Sequence, residues 1–150
     1  MASTLVHNYI HIVFATKYRA PWLVTPYDKE LFSYLSQICI SNECDVVIVG
    51  GHLDHVHILC RFSKKITLSE LVKKLKVNST KWLKTKHHSL RNFSWQIGFA
   101  AFSVDRRGIS IVKRYIQNQK IHHTKEKYKS EFVRLLKENE VEFDEKYLWD

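Results

Sequence analysis

Cysteine, long apolar runs and low-complexity sequence are all scarce in this chain, and each scarcity removes a class of protein. The three cysteines, Cys39, Cys44 and Cys60, fall irregularly within apolar stretches. That excludes a disulfide framework and reads as reduced thiols in a core. A zinc site from Cys39, Cys44 and a nearby histidine is the alternative, but the gap between the two cysteines lacks paired-ligand spacing. No apolar run is long enough to span a membrane. His7, Asn8 and His11 interrupt the apolar positions at the start, which therefore lacks the continuous segment of a secretory signal. A cytoplasmic protein is expected. No internal repeat or linker stands out, so 150 residues with 45% hydrophobic content are expected to bury one core.

Positive charge is plentiful. Twenty-four Lys and Arg against fifteen Asp and Glu give a formal net charge of +9, which favours polyanionic partners, nucleic acid foremost. A basic surface that is merely solvated is the competing reading, and composition leaves it open.

Periodicity divides the chain into elements. Val6 to Ala15 is β-branched and aromatic with imperfect alternation, a first strand. Pro21 and Pro26 punctuate a loop before Leu31, Tyr34, Leu35 and Ile38 recur at helical spacing. Val46 to Val49 and His55 to Phe62 read as a hairpin, with Gly50 and Gly51 supplying its turn. Thr67 and Glu70 fit a capping box that opens a second helix carrying Leu71, Leu75 and Trp82. Phe93 to Val104 is expected as a further strand, and a third helix runs from about Ser110 through Gln119. The order predicts an α+β fold, a ferredoxin-like or RRM-like antiparallel sheet with helices on one face. Residues 1–125 are expected to form that domain, with residues 126–150 a C-terminal helical extension packed on it.

Two features carry chemistry. In His55-Val56-His57, a strand places both imidazoles on one side and Val56 on the other. The tripeptide fits a rigid two-point metal clamp, and equally an ordinary structural pair. In the third helix Tyr115 and Gln119 are four apart and so neighbours on one face. Gln119 offers a hard carbonyl oxygen that can join the two histidines on Mg2+ or Mn2+, leaving positions for phosphate and water. A metal so placed orients phosphorus for attack by the Tyr115 hydroxyl. The competing role for Tyr115 is packing its ring on the core with its hydroxyl at the surface. A phenol is mostly protonated at neutral pH and needs a metal, cation or base to ionise as it attacks. Asp54 beside the pair is read as a turn or backbone contact rather than a ligand, and no role is assigned to His52, His122 or His123. For the DNA backbone the candidates are Lys73, Lys74 and Lys81 on the second helix, with Arg106, Arg107 and Arg114 further on; an ordinary solvated face is their alternative.

Over nearly its whole length the sequence resembles the single-tyrosine HUH transposases of small bacterial insertion sequences and the related REP-associated tyrosine transposases. The resemblance rests on Lys17-Tyr18-Arg19 after an early strand, Asp54-His55-Val56-His57, Trp95-Gln96-Ile97-Gly98-Phe99 followed by Phe102-Ser103-Val104, and Tyr115-Ile116-Gln117-Asn118-Gln119, in the family's order. It implies that His55, His57 and Gln119 bind a divalent metal and that Tyr115 forms a 5′-phosphotyrosine bond while releasing a 3′-hydroxyl. It also implies single-stranded DNA with hairpins as substrate, a homodimer, and no organic cofactor. Two alternatives remain: a domesticated nuclease that processes chromosomal hairpin repeats, and a catalytically silent nucleic-acid-binding module.

Overall fold

Alternation along the strands decides which layer each residue joins. In the computed structural model, which describes residues 2–150, strand β1 spans Tyr9–Ala15. Its Ile12 and Phe14 point into one core, while Val13 and Ala15 point into another. Strands β2 (Asp45–His52), β3 (His55–Arg61) and β4 (Ala100–Val104) complete an antiparallel sheet of order β2-β3-β1-β4.

Helices α1 (Tyr27–Ser41) and α2 (Leu68–Lys86) cover the first face. Leu31, Leu35 and Ile38 of α1 and Leu71, Leu75 and Leu83 of α2 pack there with Ile12, Phe14, Val56 and Ile58. Thr67 caps α2 as its spacing predicts: its hydroxyl accepts from the Glu70 N–H at 3.2 Å, and the Glu70 carboxylate accepts from the Thr67 N–H at 3.4 Å. The connectivity β1-α1-β2-β3-α2-β4 with this strand order is ferredoxin-like.

The remaining helices are α3 (Ile109–Gln117), the short α4 (Gln119–His122) and α5 (Tyr128–Glu138). Helix α5 lies on the opposite face from α1 and α2. Its Tyr128, Phe132, Leu135 and Leu136 pack against Val13, Ala15, Ala100 and Phe102.

Three local readings change. Gly50 and Gly51 lie inside β2, and the hairpin turns at Leu53 and Asp54. These glycines serve close approach: a Cβ on Gly50 would meet Ile116 Cγ2 of α3 at 2.8 Å, and one on Gly51 would meet the His55 carbonyl oxygen at 2.2 Å. Of the strand expected over Phe93 to Val104, only β4 is built. Phe93 and Trp95 are buried from a loop, where Trp95 makes a single bridge to Thr16 and its indole N–H donates to Ser79 at 3.0 Å. Lys76 holds that loop by donating to the carbonyls of Gln96, Ile97 and Gly98 at 2.7, 2.9 and 2.7 Å. Finally, the third helix stops at Gln117 and restarts at Gln119, with Asn118 between them outside helical geometry.

Candidate active site

His55 and His57 project from β3 onto the α5 face, and both are fully buried. Each ring is held from behind. His55 Nδ1–H donates to Asp54 Oδ1 at 2.8 Å, and His57 Nδ1 pairs with His11 Nε2 at the same distance. The Nε2 atoms of both rings then face one point, an arrangement in which outer partners set tautomer and orientation. Asp54 is thus a partner of His55 at the turn.

Gln119 and Glu131 close that point. Gln119 Oε1 accepts from His55 Nε2 at 2.9 Å, and Gln119 Nε2 donates to Glu131 Oε2 at 3.0 Å. Glu131, wholly buried, lies 3.2 Å from His55 Nε2 and 3.4 Å from His57 Nε2 through Oε1, which also accepts from His123 at 3.0 Å. His55, His57 and Glu131 each offer a ligand atom within 4.8 Å of the others. Their donor set suits a divalent cation on a further ground: His57 Nε2 is the one buried side-chain nitrogen or oxygen among the described residues with no hydrogen-bond partner. An unpartnered buried lone pair is costly unless something binds it.

Tyr115 stands beside the cluster in the same chain, its ring centroid 5.8 Å from that of His57. Its hydroxyl donates to Glu131 Oε2 and accepts from Arg134 Nη2 at 3.0 Å. The half-buried ring sits between a cavity of about 520 Å³ lined by His11, Phe102 and Arg134 and one of about 360 Å³ lined by Arg114 and His122.

Burial and charge divide the titrating groups. Burial holds His57 at about 4 and His11 at about 3, against an ordinary 6.5, so both are neutral near pH 7. Burial would lower His55 as well, but its bonds to Asp54 and Glu131 outweigh it and set the ring at about 9. Burial opposes charge on Glu131, yet the bond from His123 and the nearby His55 and His57 rings hold its carboxyl far below the usual range. Burial, then the Glu131 charge, pushes the Tyr115 phenol up.

Six basic residues were expected on the DNA surface, and all six are exposed. Arg114 lines a cavity beside Tyr115, and Arg106 and Arg107 lie in the turn ahead of α3. Lys73, Lys74 and Lys81 sit on α2, across the sheet from the histidine cluster. The cysteines are buried, and no candidate metal cluster among the described residues contains one, so the zinc alternative falls away.

Sequence reasoning missed Glu131, Arg134, His11 and His123. One signal was available: Glu131 lies in the apolar stripe of α5, three residues after Tyr128 and four before Leu135, where a carboxylate is rarely buried without partners.

A family model described as "Transposase IS200 like" matches residues 4–119. Among solved structures, a Deinococcus radiodurans R1 protein described as a transposase is similar at 24% identity and a TM-score of 0.61, over 79% of this chain and 96% of that one. A REP-associated tyrosine transposase bound to a REP hairpin is similar at 15% identity and a TM-score of 0.59, over 82% of this chain and 74% of that one. These likenesses show a shared fold. No curated protein matches the sequence.

Proposed function

The chain belongs to the IS200-like transposase family, and from that premise we propose that it cleaves and rejoins single-stranded DNA by transesterification, with Tyr115 as the nucleophile. The observation that carries this reading is the juxtaposition of a tyrosine hydroxyl with a buried His-His-Glu cluster in one chain. His55, His57 and Glu131, with the Gln119 carbonyl oxygen, would hold a divalent cation. Bound there, such an ion supplies Lewis-acid charge neutralisation and a template for a phosphate oxygen. Two imidazoles beside two oxygen donors favour Mn2+ over Mg2+ in affinity.

The chain's own residues do the rest. Asp54 and His11 fix the ring orientations of His55 and His57. Neutral His57 presents a lone pair at neutral pH, and His55 must lose its Nε2 proton to do the same. Tyr115 forms a bond to the 5′-phosphate and a 3′-hydroxyl is released. That hydroxyl, or another, later attacks the phosphotyrosine and restores a phosphodiester, so no external energy source is required. Hairpin-bearing element ends are the proposed substrate: the net charge of +9 suits a polyanion, and the same fold carries a hairpin in the REP-associated enzyme. The enzyme is proposed to work as a cytoplasmic homodimer, although each chain places Tyr115 beside its own cluster.

The test is covalent capture. Wild type and Tyr115→Phe are incubated with 3′-labelled single-stranded DNA from both flanks of the gene, with Mn2+ or with chelator. A labelled protein adduct that needs both the metal and Tyr115 is expected. An adduct that survives Tyr115→Phe would mean another nucleophile, and its absence on every flank, despite tight DNA binding by folded protein, would favour a silent binding module.

A further inference from the structure

Resting on the reading of Tyr115 as nucleophile, we propose that Arg134 of α5 is a catalytic residue whose guanidinium holds the charge on the Tyr115 oxygen as its bond to phosphorus is made and broken. Arg134 lies beyond the segment that the family model matches, which ends at residue 119.

The geometry is specific to one atom. Two hydrogen bonds from α5 meet at the Tyr115 hydroxyl, which donates to Glu131 and accepts from Arg134 Nη2 at 3.0 Å. The guanidinium is fixed in place by its other edges. Nε donates to Glu126 Oε2 at 3.2 Å, Nη2 to Glu126 Oε1 at 3.0 Å, and Nη1 to Glu138 Oε1 at 3.1 Å. Its centre lies 5.7 Å from the Tyr115 ring centroid. A planar fork anchored by two carboxylates loses little freedom in aiming its remaining N–H at a third oxygen. Arg134 also lines the larger cavity beside Tyr115, so the donor stands where a nucleotide would approach.

The bond changes show when that donor matters. In cleavage the Tyr115 oxygen bonds to phosphorus as the P–O3′ bond breaks, and the phenolic proton travels through water to the departing 3′ oxygen. In rejoining, a 3′-hydroxyl attacks phosphorus and passes its proton to water while the bond from phosphorus to the Tyr115 oxygen breaks. The departing phenoxide takes a proton back from water. In both directions the phenolic oxygen passes through a partly charged state, where a preorganised donor stabilises most.

The experiment compares full-length wild type, Arg134→Gln, Arg134→Ala and Arg134→Lys in single turnovers on 3′-labelled single-stranded DNA with Mn2+, timing adduct formation and its reversal by an added 3′-hydroxyl strand. Circular dichroism monitors folding, and electron paramagnetic resonance monitors Mn2+ binding. Arg134→Gln is expected to slow both steps by roughly 100-fold without changing Mn2+ affinity. Arg134→Lys should recover part of the rate, and added methylguanidine should do so for Arg134→Ala, which a residue that only ties α5 together would not allow. Arg134→Gln rates within about threefold of wild type, or a loss that neither lysine nor methylguanidine recovers, would overturn the proposal. Should Arg134→Gln not fold, Arg134→Lys and the methylguanidine rescue decide alone. No adduct from wild type would overturn the Tyr115 reading and this proposal together, whereas a wild-type adduct with unaffected Arg134 variants overturns this proposal only.

Discussion

The two faces of the sheet are made from alternate residues of the same strands, yet they bury opposite kinds of group. Beneath α1 and α2 lie Ile12, Phe14, Val56, Ile58 and Cys60, apolar throughout. Beneath α5 lie Val13, Ala15 and Phe102, but also His11, His55 and His57, which meet Glu131 of α5 itself, all buried and charged or chargeable. Apolar burial stabilises without regard to pH or ligand. A buried polar cluster is stabilising only when every member is paired. The first face therefore holds the fold, and the second makes part of its stability conditional on protons and, on the proposed reading, on a cation.

The largest expected effect falls on the first face. Phe14 is almost wholly buried and packs edge-on to Trp95 with ring centroids 4.8 Å apart. Phe14→Ala should cost about 3–5 kcal/mol of stability in denaturant unfolding, with Mn2+ affinity of the folded fraction unchanged. Loss of Mn2+ binding in protein that remains folded would show that the two faces are not independent.

The second face should respond to pH. His57 is held at about 4 when folded, against 6.5. Between those values the unfolded chain binds more protons, so stability falls as pH drops from 6.5 towards 4, by roughly 3 kcal/mol for a shift of this size. His11, held at about 3, and the depressed Glu131 act in the same direction on the acid side. His55, raised to about 9, contributes stability that is full below 6.5 and is lost as pH rises through 9. Melting temperatures of metal-free protein should therefore peak near pH 6.5. A flat profile between pH 4 and 7 would place the comparison in error.

What could be read from sequence follows the same division. The pairing of His55 with His57 on one face is a matter of period two along a single strand. Tyr115 and Gln119 remain neighbours even though the helix breaks at Asn118, because the turn through Asn118 still carries its N–H to the Arg114 carbonyl. Glu131 was out of reach, since its partners His55 and His57 lie more than seventy residues earlier and only the docking of α5 brings them together. Phe93 and Trp95 misled for a related reason: apolar aromatics are needed equally by a core strand and a buried loop, and the ladder that separates the two is a tertiary fact. The glycines of β2 were read as a turn because their actual cause, contact with Ile116 and the His55 backbone, lies outside the local sequence.

Metal provides the finest test of the contrast. A cation that binds only the folded chain stabilises it by mass action, about 2.7 kcal/mol at a hundredfold excess over its dissociation constant. On the proposed reading that gain would belong entirely to the second face, through His57 Nε2, His55, Glu131 and Gln119. Mn2+ should therefore raise the melting temperature of wild type and of Phe14→Ala by similar increments, while His57→Ala loses the increment and Gln119→Ala retains part of it. Since binding at His55 displaces a proton, the increment should grow as pH rises from 6 to 8. An equal Mn2+ shift in wild type and His57→Ala would mean that the ion binds elsewhere, and that the unpartnered nitrogen of His57 is simply a cost borne by the fold.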